Sequence, residues 1–236
     1  MEGLSRPLRI ATYNVHRCIG RDRRYDPERT LSVIRDLDSD VLALQELHWR
    51  PDDALHLLND FAARLGYVPV AGPTLLDHTG HYGNALLTRL PVGSVNRIDL
   101  TVAGREPRGA LDVRLHSPQG ALRVVATHLG LRPSERRAQI RQLLACIGRQ
   151  PTDASVLMGD LNEWFLWGRP LHWLRWFFKA TPAPATFPSS FPLFALDRIW
   201  ITPRHRLREL KVHKSRLAQE ASDHLPLRAT IELGES

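Results

Sequence analysis

The sequence predicts an α+β domain built in layers, and three observations carry that expectation. Between residues 67 and 127, five strand-like runs follow one another without a helical stretch, which excludes strict βαβ alternation. A few stretches with apolar residues at helical spacing interrupt the strands elsewhere. The 236 residues are 43% hydrophobic and 24% charged, which excludes a disordered chain, a fibrous repeat and a membrane-spanning bundle. At roughly 150 residues per domain the length allows one large domain or two small ones.

The elements follow in order. Leu8–Val15 is apolar and β-rich, a first strand. Asp26-Pro27 supplies an N-cap and a proline for the first helical turn, after which Leu31, Ile34 and Leu37 recur at helical spacing. Asp40–Glu46 is a short apolar run with polar borders, a buried strand. Asp53–Leu65 is helical in pattern and stops at Gly66. The strand runs are Tyr67–Val70, Asn84–Thr88, Ser94–Thr101, Gly109–His116 and Leu122–Thr127. Pro133–Ile147 reads as a helix with Ile140, Leu143, Leu144 and Ile147 on one face. Strands follow at Ser155–Met158, Leu196–Ile201, Leu207–Val212 and Leu227–Ile231.

Charge and composition narrow the partners. Lys plus Arg number 32 against 25 acids, and only Lys179, Lys211 and Lys214 are lysines. Guanidinium suits bidentate contact with phosphate or carboxylate, so an anionic substrate is one reading and a merely cationic surface the other. Cys18 and Cys146 are too few for a disulfide framework. Residues 1–6 lack the apolar core of a signal peptide, and no uncharged apolar run is long enough to span a bilayer, so a cytoplasmic location is expected.

Residues 164–194 stand apart. They hold four of the six tryptophans and six of the seven phenylalanines, followed by Pro182, Pro184, Pro188 and Pro192. This reads as an insertion with a short aromatic helix. Either its rings pack onto the core, or they form a lip for substrate or for an anionic membrane.

Polar groups cluster where strands end: Asn14 and His16, Glu46, His128, Asp160 and Asn162, Asp197, and Asp223-His224. A strand fixes the backbone there while the following loop exposes the side chain. Each such group alone is common. In order, however, TYNVH (12–16), LALQEL (42–47), YGNALLTR (82–89), ATHLG (126–130), GDLNEW (159–164), LDRIW (196–200) and SDHLPL (222–227) resemble the endonuclease/exonuclease/phosphatase superfamily of DNase I-like, metal-dependent phosphoesterases.

That resemblance covers essentially the whole chain. It implies one domain over 1–236, folded as a four-layer αββα sandwich of two mixed, mainly antiparallel sheets. It implies Mg²⁺ as cofactor, with Mn²⁺ as a substitute, held by Glu46 with Asn14 and Asp223. It also implies that His128 and His224 contact the phosphate, Asp197 orients the His224 ring, and Asp160 and Asn162 position or deprotonate the attacking water. Asn84, Arg108 and His81 are expected to line the cleft and bind substrate. Physical need agrees: hydrolysis of a phosphodiester requires charge neutralisation and an aligned water, and four clustered carboxylates repel unless a cation sits among them.

His16 departs from the acidic residue of DNA-repair members, and the Tyr82–Ala85 segment is more like members acting on lipids, nucleotides or other small phosphoesters. The expected activity is therefore hydrolysis of a phospholipid head group or another small phosphodiester. The alternatives are a DNA or RNA endo- or exonuclease, using the basic stretches Arg132–Arg141 and Arg204–Arg216, and an inactive member that binds membrane or phosphate. No obligate protein partner is indicated.

Overall fold

In the computed structural model, residues 6–49, 56–77, 80–148 and 154–234 are described, with backbone only for 49, 73–77 and 80–82. Alternation along each strand sorts the side chains into two faces. The first half contains β1 (Leu8–Asn14), α1 (Pro27–Leu37), β2 (Val41–Trp49), α2 (His56–Leu65), β3 (Val68–Asp77), β4 (Gly80–Thr88), β5 (Val92–Asp99) and β6 (Gly109–Ser117). The second contains β7 (Gly120–His128), α3 (Pro133–Gly148), β8 (Ala154–Asp160), α4 (Arg169–Phe178), β9 (Asp197–Thr202), β10 (Leu207–Val212), α5 (Arg216–Ala221) and β11 (Leu227–Ile231).

One sheet has the order β10-β11-β1-β2-β4-β3 and the other β5-β6-β7-β8-β9. Each holds a single parallel pair, β1/β2 and β7/β8, among antiparallel neighbours. The crossovers that parallel pairing demands are α1 and α3. Ile10, Val41, Ala43 and Leu86 of one sheet meet Val113, Val124, Val156 and Ile199 of the other in the central core. Leu31, Ile34, Phe61 and Ala221 bring α1, α2 and α5 onto the outer face of the first sheet. Ile140, Leu143, Leu171 and Phe178 bring α3 and α4 onto the second. The expected αββα order of layers is what these three clusters describe.

Local chemistry sets the element ends. Asp26 accepts a hydrogen bond from the Arg29 amide at 2.9 Å, with Pro27 at the first helical position of α1. Strand β3 runs seven residues beyond the expected Val70. Its Pro73 is tolerated because β3 is an edge strand and its register shifts between Pro73 and Leu75. Helix α5 was not expected, since six residues are too few to show a period; Ser215 caps it by accepting from the Ala218 amide at 3.0 Å. Of the expected 53–65 helix, residues 53–55 lie outside the described residues. Both cysteines are free, Cys18 buried and Cys146 partly so. Among the described residues, no helix is long and apolar enough to cross a membrane.

The aromatic segment is part buried and part exposed. Leu171, Leu174 and Phe178 are buried beneath α4, with Phe178 near Trp200, while Trp167 and Trp176 stay in solvent.

Candidate active site

Strand parity aims the expected residues into the gap between the sheets. Asp160 continues the inward series Ala154, Val156, Met158, and His128 continues Leu122, Val124, Ala126. Registers then align them in a row: His128 opposite Asp160 across β7/β8, and Asp160 opposite Asp197 across β8/β9. Gly159, just before Asp160, has φ +143°, and a Cβ there would lie 1.8 Å from the Thr127 carbonyl oxygen. Only glycine lets β7 and β8 close at this point.

Glu46 reaches the gap by a different device. With regular alternation it would share the helix-facing side of Leu42 and Leu44. The β2/β4 register shifts between Leu44 and Leu47, Glu46 takes φ +56°, and Leu47 returns to that helix-facing core. The extra residue of this bulge turns Glu46 towards Asn14.

Asp160 is the hub. Its Oδ2 accepts from Asn14 Nδ2 at 3.1 Å and lies 3.6 Å from His128 Nε2 and 3.7 Å from His224 Nε2. Its Oδ1 accepts from the Asn162 amide at 2.9 Å. Asn14 Nδ2 also donates to Glu46 Oε1 at 3.0 Å, and Asn14 Oδ1 accepts from the His16 amide. One carboxamide therefore ties the two carboxylates, and with them the two sheets, together.

The imidazoles differ in protonation. Burial pushes His224 towards its neutral form, but Asp197, Asp160 and Asp223 outweigh it and raise the pKa to about 10. Its Nδ1 donates to Asp197 Oδ2 at 2.8 Å, and the same oxygen accepts from Thr186 Oγ1 at 2.6 Å. For His128, burial, with Arg108 and His224 adding positive charge, lowers the pKa to about 3 against the pull of Asp160. Arg108 Nη1 stands 3.1 Å from His128 Nδ1, and guanidinium can only donate. Asn162 Nδ2 lies 3.0 Å from His128 Nε2 and donates to the Leu129 carbonyl at 2.9 Å, so both ring nitrogens face donors and a neutral ring accepts from one of them. His224 turns an N–H on Nε2, and His128 its Nε2, towards the space beside Asp160 Oδ2.

The other expected residues fall at varying distances from this centre. Asp223 is partly exposed and faces His16, with 3.8 Å between its Oδ1 and Nδ1. Arg108 is buried and bonded to His128 and Glu106, and so is no surface residue; cavities of about 270 and 160 Å³ flank it. Asn84 stands one step away, donating to the Gly109 carbonyl at 2.9 Å while its Oδ1 has no partner among the described residues. The side chain of His81 lies outside the described residues.

Two residues given no role in the sequence, Thr186 and Ser222, and one ring of the aromatic segment, Phe187, belong here. Thr186 bonds Asp197, Ser222 Oγ donates to the Asn14 carbonyl at 2.8 Å and accepts from the His224 amide, and the Phe187 ring lies 4.8 Å from the His224 ring. The Ser-Asp-His triplet was the only signal in the sequence, and it pointed to its other two members.

The donor set suits a hard cation. Glu46 has no ion-pair partner among the described residues and offers a carboxylate of the kind Mg²⁺ takes in small number. Asn14 turns its Nδ2 to Glu46 and its Oδ1 to the His16 amide, so it would ligate only with its carboxamide turned over, and Asp223 faces His16. Ligand atoms of Asp160, Asp197 and His224 also lie within 4.8 Å of one another. A protonated His224 cannot ligate, however, and Asp197 already serves it.

Comparison with known proteins agrees with the geometry. Residues 11–224 match the family model described as Endonuclease/Exonuclease/phosphatase family. The uncharacterized protein YbhP of Escherichia coli (strain K12) is 31% identical over 247 residues, 96% of each chain. The endonuclease/exonuclease/phosphatase of Beutenbergia cavernae DSM 12333 superposes with TM-score 0.81 at 25% identity, over 98% of this chain and 72% of that one. The human Nocturnin catalytic domain with bound sulfate anion gives 0.72 at 20% identity, over 96% and 93%. The two-sheet sandwich is the DNase I-like fold.

Proposed function

The chain belongs to the endonuclease/exonuclease/phosphatase family, and from that premise we propose that it is a Mg²⁺-dependent phosphodiesterase in which water attacks phosphorus. The family in general hydrolyses phosphoester bonds with a divalent metal. One observation supports the reading above others: a single carboxylate oxygen, Asp160 Oδ2, faces the Nε2 atoms of two imidazoles at 3.6 and 3.7 Å. A phosphoryl group seated there would meet the cationic His224, and the water behind it would meet one base.

Each group has a part. Asp160 Oδ2 takes the proton of the attacking water, while the Asn162 amide holds its other oxygen. His224, cationic at neutral pH, donates to a non-bridging oxygen of the phosphate, and Nε2 of the neutral His128 lines the same space. Asp197 and Thr186 keep the His224 ring aimed, and Arg108 and Asn162 hold the His128 ring between them. Glu46, Asn14 and Asp223 would hold the Mg²⁺, or Mn²⁺ in its place. When bound, the ion neutralises charge building on the phosphoryl oxygens.

We take a small phosphodiester as substrate, a phospholipid head group foremost. The exposed aromatic residues beyond Asn162 support it, and all seven motif positions keep their polar groups, which speaks against an inactive binding module. The excess of positive charge favours nucleic acid as second reading. A screen of bis-p-nitrophenyl phosphate, phospholipids, nucleotides, DNA and RNA with Mg²⁺ or Mn²⁺ tests this, with Glu46→Ala as blank. Metal-dependent hydrolysis of at least one diester, lost in the blank, is expected; no hydrolysis of any overturns the activity, and cleavage of nucleic acid alone overturns the substrate.

A further inference from the structure

Among the described residues, most of the exposed rings lie in one stretch of chain. Trp167 is 78% exposed, Trp176 79% and Phe191 70%, and Phe165, Leu166 and Leu193 are at least half exposed. Folding leaves these side chains in solvent, although α4 puts its other face into the core. Contiguous exposed apolar surface marks a place where something else is bound.

Charge decides what. Residues 164–196 contain no Asp or Glu and carry Arg169, Arg175 and Lys179. On the neighbouring helix α3, the Arg141 guanidinium lies over the Trp173 ring at 4.7 Å. An apolar groove between the helices, lined by Leu144, His172, Trp173, Trp176 and Phe177, opens beside it. Arg175 Nη2 donates to the Leu166 carbonyl at 2.5 Å, which ties the loop carrying Trp167 to the helix carrying Trp176. Tryptophan with arginine, free of carboxylates, is the chemistry of the boundary between lipid head groups and acyl chains. Nucleic acid would use the arginines but finds nothing in Leu166 or Leu193.

The patch also leads to the site. Trp164 packs edge-on against Phe187 at 5.7 Å and Phe194 at 4.8 Å, and Phe187 lies against the His224 ring. We propose that the segment 164–194 docks this protein on an anionic phospholipid surface, with Trp167 and Trp176 at the level of the head groups. This deepens the phosphodiesterase reading by naming where the substrate is met: a lipid phosphodiester reaches Asp160 past Trp164 and Phe187 without leaving the interface.

The test is flotation of the full chain with vesicles of phosphatidylcholine alone and of phosphatidylcholine mixed with phosphatidylglycerol. Binding to the mixed vesicles that weakens with added salt is expected. The paired substitutions Trp167→Ala and Trp176→Ala should abolish it, and Arg169→Glu should lower it by at least about fivefold, the share of one cation near such a surface. Absence of binding, or binding untouched by the tryptophan substitutions, overturns the proposal. So does a dimer seen by sedimentation velocity that the same substitutions dissolve while vesicles are ignored. Hydrolysis of bis-p-nitrophenyl phosphate is read in parallel: if it persists unchanged in the tryptophan variant, docking is separable from catalysis. If it is absent in the wild type while vesicles still bind, the enzymatic reading falls and the docking surface stands.

Discussion

At the scale of single residues, the site works by holding two identical rings in opposite states. Replacing Asp197 by Asn removes the charge that does most to keep His224 protonated. The expected result is a kcat about 10² lower with KM little changed, and an alkaline limb of the kcat profile displaced towards neutrality. A variant with the wild-type profile would remove the assigned role. Stability should record the same pair. Between pH 6.5 and about 3 the unfolded chain binds a proton at His128 that the folded chain refuses, so stability falls as pH drops through that window. For His224 the folded chain holds a proton that the unfolded chain releases above 6.5, so its contribution is full below 6.5 and gone once pH passes about 10. Urea denaturation at a series of pH values should show both slopes, with His128→Gln flattening the acid one and His224→Gln the alkaline one. The sequence disclosed these residues through seven ordered motifs. It was silent on Thr186, because a threonine in a proline-rich loop carries no pattern, and the chain distance to Asp197 hides their bond.

At the scale of elements, the parallel pair β7/β8 is held together by two devices of different legibility. The apolar runs of both strands were plain, but nothing in a lone glycine announces that Thr127 crosses within van der Waals distance of it. Gly159→Ala should therefore cost about 3 kcal/mol in thermal unfolding, the upper end for a single change, and misplace His128 against Asp160. The loops after these strands are pinned from behind by α3. Buried Arg136 bonds the Glu163 carboxylate at 3.1 Å and the Leu131 carbonyl at 2.5 Å. Removing one partner strands the other charge, so Arg136→Met should destabilise by about 3–5 kcal/mol, and Arg136→Met with Glu163→Leu should recover most of it. A double-mutant cycle by chemical denaturation measures the difference. Bulges, too, escape a reading by period: the displaced turn at Glu46 inverts its side, and only the register of β2 on β4 reveals it.

At the scale of the molecule, the two sheets are joined at the ends of their central strands by Asn14, which binds a carboxylate from each. A cation held by Glu46 and Asn14 would brace that seam. Millimolar Mg²⁺ should therefore raise the melting temperature and chelator lower it, by RT ln(1 + [Mg²⁺]/Kd), or about 2.7 kcal/mol at a hundredfold excess over Kd. Glu46→Ala should show no such shift. The layered class and the order of most elements could be read from alternation and helical spacing. The pairing order could not, since β11 lies beside β1 through contacts between opposite ends of the chain.

That last pairing sets a schedule for synthesis. The Ser222 hydroxyl reaches back 208 positions to the Asn14 carbonyl, and β11 flanks β1. A growing polypeptide therefore carries Glu46, His128 and Asp160 while the 64 positions from Asp160 to His224 are still being made. On the proposed reading, the set of groups that would surround a phosphoryl group is complete only once residue 224 has been made, so the growing chain lacks its second imidazole until then.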